Sequence, residues 1–376
     1  MQRIKNLFEI TSQFKCHVDV GSLKSYGSGH INDTYYLSNL VKEDHNYLLQ
    51  RINHQIFKNV PELMDNMYRV INHLKMKVLE ESGNPDQEVL TLLVTKDGPY
   101  FYKDNNGDYW RMCYFLKNTR TYDLVETEKQ AYEGGKAFGK FQARLSDLPA
   151  ETMHEVIPDF HNIEKRLEQL AKAVETDATA RVQQVRQELE IIQAYAASMS
   201  YFQEPAQAEI LIKRVIHNNT KFNNVLLNRK NEAQYVIDLD TVMAGYVAYD
   251  FGDAIRTTIN TTVEDEGDLS KIQLNLSLFD AYTQGYLEEA GQFLTASEVD
   301  SLLKGVLLLP YMQAVRFLTD YINGDKYFKI NFEQHNLQRA KAQLQLLKML
   351  DLNASRMQNT IAVLSSELSI KSSTGI

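Results

Sequence analysis

Residues 25–37 mix polar and β-favouring positions around the small-residue break Gly27-Ser28-Gly29, and β-favouring aromatics resume after the break. That pattern predicts a strand, a glycine turn and a second strand. Residues 47–52, 89–94, 100–102 and 109–115 carry a strand signature too, the last two joined by the polar turn 103–108. Asn59 and Pro61 mark a helix start, with Asn as cap and proline in the first turn, ahead of the amphipathic run Leu63, Met67, Val70, Ile71 and Leu74. The N-terminal part therefore predicts a small twisted sheet with one long helix.

After Leu116 the period lengthens to that of helices, over 127–146, 163–176, 180–198, 268–289, 296–320 and 334–363. A strand pair around 225–240 interrupts them. The terminal stretch 365–376, rich in Ser and Thr, predicts fraying, and no internal repeat is present. The fold class that follows is α+β and two-lobed: a small β-rich N-terminal lobe, 1–115, and a larger, mainly helical C-terminal lobe, 116–376. A chain of 376 residues exceeds a usual single core, which agrees.

Composition changes this picture only by exclusion. Hydrophobic residues at 44% and charged residues at 24% describe an ordinary globular protein. A net charge of -9 argues against a nucleic-acid partner, whose phosphates call for a basic surface. Two cysteines exclude a disulfide framework or a four-cysteine zinc site and suit a reducing cytoplasm. No signal peptide is legible at the N-terminus and no apolar segment approaches a membrane span, so a cytoplasmic monomer without membrane contacts is expected.

The candidate chemistry lies between the helices. His217-Asn-Asn-Thr-Lys-Phe-Asn-Asn224 is followed by an apolar strand, a polar turn and Tyr235-Val-Ile-Asp-Leu-Asp240. This is the layout of a phosphotransferase loop, His-x-Asp-x-x-x-x-Asn, running into a hairpin that ends in a metal-binding Asp. The spacing lets one short loop reach both the attacking hydroxyl and a magnesium ion on nucleotide phosphates. Asn224 and Asp238 are candidate metal ligands, and Asp240, on the same face of an extended chain, a candidate for a second ion or bridging water. Lys221 is placed to neutralise a transferring phosphoryl group. Either half alone could be a polar turn or a capping residue; both halves in register favour the catalytic reading. Asn219 stands where the pattern wants the carboxylate that accepts the substrate's proton.

Gly27 and Gly29 could cradle phosphates, although an ordinary hairpin gives the same residues. Arg51 sits mid-strand where a kinase places its phosphate-pairing Lys, with Glu62 or Asp65 as acidic partner, or else is a solvated strand charge. Arg316, four residues before Asp320, suggests a surface ion pair by spacing, and the acidic run 263–268 reads as a solvated loop.

With these motifs in place, the chain resembles the aminoglycoside phosphotransferase and choline kinase superfamily, and within it bacterial N-acetylhexosamine 1-kinases. The resemblance rests on the runs Gly27 to Tyr35, Leu49 to Asn53, Ala137 to Gln142, His217 to Asn224, Val236 to Met243, Tyr249 to Asp253, Arg316 to Tyr321 and Asn323 to Asp325, in family order along nearly the whole chain. It implies a protein-kinase-like fold, ATP as co-substrate, Mg2+, and the anomeric hydroxyl of N-acetylglucosamine or N-acetylgalactosamine as acceptor. By the same resemblance His217 would shape the catalytic loop, and Asp250 would buttress it. Gly27, Gly29, Asn32 and Arg51 would face the nucleotide, Tyr114, Phe115 and Leu116 would flank adenine, and Arg316 with Tyr327 would hold the sugar beside Asn219. The departure at Asn219 implies a crippled catalyst, natural or engineered by an Asp-to-Asn change. Two other readings stay open: the same chemistry on choline, an aminoglycoside or another sugar, and a non-catalytic nucleotide- or sugar-binding protein.

Overall fold

The computed structural model describes residues 2–27, 31–41 and 45–374, with side chains for 7–27, 31–41 and 45–368. Gly29 therefore lies outside the described residues. Helix α1 (Gln2–Thr11) precedes β1 (Val18–Ser25), β2 (Asp33–Asn39) and β3 (Asn46–Ile52). Then come α2 (Val60–Glu80), the short α3 (Pro85–Glu88), β4 (Tyr102–Lys103) and β5 (Tyr109–Phe115). The strands form one antiparallel sheet in the order β1-β2-β3-β5-β4. Asn59 caps α2 through the amide of Glu62, as its sequence implied.

Alternation along the strands separates two faces. Tyr47 and Leu49 of β3 and Trp110 and Met112 of β5 pack on Leu7 and Ile10 of α1. Ile52 and Cys113 instead join Leu63, Met67 and Val70 of α2 in the main core. The expected strand at 89–94 does not form as an independent ladder. Its bonds are split: Leu93 donates to Met112 and Thr91 accepts from Tyr114, while Val94 accepts from Lys15 beyond α1, which leaves an isolated bridge between Leu92 and Cys113.

The helical part comprises β6 (Thr119–Arg120), α4 (Glu128–Arg144), α5 (Ile163–Thr176), α6 (Arg186–Met199) and α7 (Pro205–Ile210). Four short strands follow, β7 (Arg214–Ile216), β8 (Val225–Asn228), β9 (Ala233–Val236) and β10 (Met243–Gly245). The chain ends in α8 (Val247–Thr258), α9 (Leu276–Ala290), α10 (Ala296–Ile322), α11 (His335–Leu352) and α12 (Ala354–Thr374). Helix α8, not expected from the sequence, is buried on nearly every side, although its polar residues Asp250, Asp253, Arg256 and Thr257 recur at helical spacing. The single helix expected over 334–363 breaks at Asn353, whose side chain turns back onto the Met349 carbonyl. Backbone helix then continues to Thr374, where fraying had been expected.

Helix α10 is long and apolar enough to cross a bilayer by length and composition, contrary to the sequence expectation. With 72% of that window buried inside the protein, core packing accounts for its apolarity. It crosses α8 at glycine: a Cβ on Gly305 would overlap the Ala248 carbonyl, and one on Gly252 would overlap Gly305. That close approach fixes α8, and with it Asp250.

Candidate active site

Strand β7 pairs antiparallel with β10 and delivers the chain into residues 217–224; β8 and β9 form the hairpin that ends at Asp238. Asp250, on α8 below the loop, is almost fully buried and accepts hydrogen bonds from the backbone amides of His217 at 2.8 Å and Asn218 at 2.7 Å and from Gln142 at 2.9 Å. Burial raises its pKa, and those three donors stabilise the carboxylate against that penalty. Asp250 thus braces the loop as the resemblance implied. His217 is buried against Phe138 and Phe141, and its Nε2 is 2.8 Å from the Ile237 carbonyl, so Nε2 carries the proton and Nδ1 accepts from the Asn219 amide at 3.3 Å. Burial lowers its pKa and keeps the ring neutral: it is a strut.

The loop and the hairpin end converge. Asn219 donates through Nδ2 to Asp238 Oδ2 at 3.3 Å, and Asn224 Nδ2 donates to the Asn219 carbonyl at 2.8 Å, which turns Asn224 Oδ1 away from that bond as a free acceptor. Asp238 adopts a left-handed backbone, φ 63°, which ends the strand and presents its carboxylate to the loop. Burial first, then the adjacent Asp240, push the Asp238 pKa up to about 6, with Arg111 and Lys221 opposing. A carboxylate so under-compensated, with an amide oxygen beside it, fits a hard cation such as magnesium. No group of three or more His, Cys, Asp or Glu among the described residues could enclose a metal, so water or phosphate oxygens would complete the shell.

Lys221 reaches Glu264 at 3.1 Å, and Glu264 also pairs with Arg256, itself bound to Asp253. The acidic run 263–268 is therefore not a merely solvated loop. Burial alone would raise the Glu264 pKa; Lys221 and Arg256 overcome it and hold the acid below its ordinary range. Asp265 contacts His335 at 2.8 Å. These pairs anchor the run because catalytic-loop and α8 cations face it.

Two expectations are corrected on the sheet side. Arg51 shares the face of Tyr47 and Leu49, and its guanidinium binds Asp33 and Asp108 on the outer side, lining a pocket with Leu7 and Trp110. It is turned away from Asp238, and neither Glu62 nor Asp65 is its partner; Asp65 binds Arg69 and His154. The cleft-facing cation is Arg111 of β5, which bonds Gln50 of β3 at 2.9 Å, touches Met67 of α2 and forms a buried ion pair with Asp240. The second correction is Asp240 itself. Arg111 and the Asn32 amide occupy its carboxylate, so it is a junction between sheet and hairpin and not a free metal ligand. Arg111 was missed; a lone arginine inside the apolar strand 109–115 was the available signal.

Gly27, at φ 77°, makes the left-handed turn between β1 and β2, and an added Cβ there would meet nothing within 4 Å. Asn32 follows at the base of that turn. Phe115 packs edge-on against Tyr26 and Tyr36, at 5.4 and 5.2 Å, and Leu116 begins the crossing to β6 with its carbonyl bound by Thr119.

On the helical side, the ion pair between Arg316 and Asp320 does not form. Asp320 accepts from the backbone amides of Lys326, Tyr327 and Phe328 and from Asn336. Arg316 instead lies between the rings of Phe160 and Phe328, 5.4 Å from each. Tyr327, half exposed, packs edge-on against Phe328. His161, next to Phe160, contacts the Asn218 carbonyl at 3.3 Å, which joins this aromatic cluster to the catalytic loop. Phe160 and His161 were not anticipated, since they fall in an irregular segment without periodicity.

Among solved structures, an aminoglycoside phosphotransferase from Alicyclobacillus acidocaldarius superposes with a TM-score of 0.57 at 12% identity, covering 96% of each chain. A spectinomycin phosphotransferase in complex with ADP and spectinomycin gives 0.54 at 13% identity, covering 97% of this chain and 98% of its own. Choline kinase from Cryptosporidium parvum Iowa II gives 0.51 at 13% identity, covering 92% and 93%. At such identities the likeness is one of fold, a β-sheet N-terminal region on a helical C-terminal region. Residues 22–292 match the phosphotransferase enzyme family, well over half of the sequence, and with the loop, hairpin and fold in agreement the chain belongs to that family.

Proposed function

We propose that the chain is an ATP-dependent kinase of N-acetylhexosamines, forming the sugar 1-phosphate at a rate limited by Asn219. The observation that carries this reading is the convergence of the loop and the hairpin end, where Asn219 hydrogen-bonds both Asp238 and Asn224. Gly27 and Asn32 would lie along the phosphates and Phe115 and Leu116 beside adenine; the ADP held by the spectinomycin phosphotransferase supports a nucleotide donor. Asn224 and Asp238 would hold magnesium, which neutralises charge on the phosphates when bound. Lys221, fixed by Glu264, adds a cation near the transferring group.

Arg316 and Tyr327 support a sugar acceptor, because a planar multi-donor group and aromatic faces suit hydroxyls and a ring. Asn219 would accept the hydroxyl's hydrogen bond in the ground state without being able to take its proton. Transfer then relies on positioning and charge alone. Titration of the protein with N-acetylglucosamine, N-acetylgalactosamine, choline and an aminoglycoside, in the presence of magnesium and a non-hydrolysable ATP analogue, tests the acceptor. The N-acetylhexosamines are expected to bind tightest; tighter binding of choline or the aminoglycoside would reject the sugar reading.

A second reading is favoured by one contact. The Asn219 amide donates to Asp238, a bond that an ionised Asp at 219 could not make, as a binding protein with a native Asn would use. Absence of any gain in transfer on Asn219→Asp, across the same acceptors, would favour that alternative.

A further inference from the structure

We propose that the acceptor pocket contains a subsite for an anionic substituent, a carboxylate or phosphate carried by the acceptor, formed by Arg166 and Arg316 around Phe160. The proposal rests on the sugar-kinase reading above and specifies its substrate class.

The two guanidinium groups meet at one residue. Arg316 lies over the Phe160 ring, and Arg166 donates to the Phe160 carbonyl at 3.1 Å. Neither pairs with a carboxylate within 4 Å among the described residues, whereas the buried Arg111, Arg214 and Arg256 each have one. Arg316 donates to Gln313, and Arg166 donates to Gln169 and to the carbonyls of Asp159 and Phe160. The Nε of Arg166 is buried without a partner.

Nearby acids form no ion pair with either arginine and hydrogen-bond to other groups. Asp159 accepts from Asn162 at 3.0 Å, Asp253 from Arg256 at 2.7 Å, and Asp320 from the 326–328 backbone. Burial first, then the charge of Arg316, lower the Arg166 pKa to about 10, and Tyr327 and Asp159 oppose them only in part. An anion placed between the two arginines would relieve that repulsion and receive charge-assisted bonds from planar donors. Arg316 is already immobilised between two rings, so little ordering cost remains.

The subsite adjoins the reaction centre. His161 follows Phe160, and its Nε2 donates to the carbonyl of Asn218, the residue before Asn219. Burial lowers the His161 pKa to about 4, so the ring contributes no third positive charge, and its Nδ1 remains an unpartnered acceptor. Tyr327 is close enough to influence Arg166 and packs on Phe328, one of the two rings that hold Arg316. An acceptor with its hydroxyl at Asn219 would direct a substituent toward the two arginines, and a polycationic acceptor would be repelled there.

The test is a binding series with three probes: N-acetylglucosamine, its 3-O-lactyl carboxylic acid derivative, and its 6-phosphate, each titrated with magnesium and a non-hydrolysable ATP analogue at low and high salt. At least one anionic probe should bind 10-fold or more tighter than the neutral sugar, and the advantage should shrink with salt. Arg166→Gln and Arg316→Lys should each reduce that preference at least 5-fold while nucleotide affinity, reporting an intact fold, is unchanged. Neutral sugar binding as tightly as both anionic probes would overturn the subsite and leave the sugar reading standing. Failure of all three probes, with choline or an aminoglycoside bound instead, would overturn both.

Discussion

Asn219 holds Asp238 through an amide donor at a position where a catalytic carboxylate would be expected, and the two roles oppose each other. If Asn219 merely replaces a general base, Asn219→Asp should raise the single-turnover transfer rate by about 10² to 10⁴ with sugar affinity nearly unchanged. In the absence of metal the same change sets two carboxylates side by side, so thermal stability should fall and be restored by magnesium and nucleotide. The protonation of Asp238 gives a second expectation. Its pKa is raised to about 6, so the folded state retains a proton that the unfolded chain releases near 3.8. Stability from this group is greatest at low pH and is lost as pH rises through that window. Metal binding runs the other way, since the cation must displace that proton. Affinity for magnesium and nucleotide should therefore weaken about tenfold between pH 7 and pH 5, measured by titration calorimetry. Asn219, Asn224 and Asp238 were legible because they lie within one short stretch of chain with fixed spacing. Arg316 was legible only as an alternative, because its partners Phe160 and Phe328 are remote in sequence.

Strands decided what spacing could not. A shift of one residue along β3 moves a side chain to the opposite face, so Arg51 points outward and Gln50 faces Arg111. The alternation that buries Tyr47 and Leu49 on the outer face already contained this answer, but a charged residue in a strand drew the catalytic reading to itself. Exposure separates the two arginines energetically. Arg51→Gln removes a partly exposed pair and should cost about 0–1 kcal/mol, whereas Arg111→Gln strands Asp240 in a buried site and should cost about 3–5 kcal/mol in denaturant unfolding. Helix limits were read unevenly: α5 matches its expected span, while α8 was missed although Asp250, Asp253, Arg256 and Thr257 recur at helical spacing along it. The α8 and α10 crossing gives a further check. Gly305→Ala forces the helices apart and should destabilise the protein by about 1–3 kcal/mol or more, with transfer falling as Asp250 shifts beneath the loop.

At the scale of the whole molecule, the order of a β-rich region followed by a helical one was readable from the change of period near Leu116, and the family match agrees with it. The contacts that join the regions were not readable, since they link residues far apart in sequence: Asn66 of α2 donates to the carbonyls of His154 and Val242, and Asp240 takes both Asn32 and Arg111. The second of these junctions has a mechanical consequence. One carboxylate fastens the root of the glycine turn and the middle of β5 to the hairpin that carries Asp238, so a swing of the sheet over the cleft must pivot about this clasp or tear it. Asp240→Asn would weaken the hold on Arg111 and release the sheet as a looser flap. Hydrogen exchange should then quicken in β2, β3 and β5 while α10 and α11 keep their protection, and nucleotide would enter and leave faster through a gate that no longer latches.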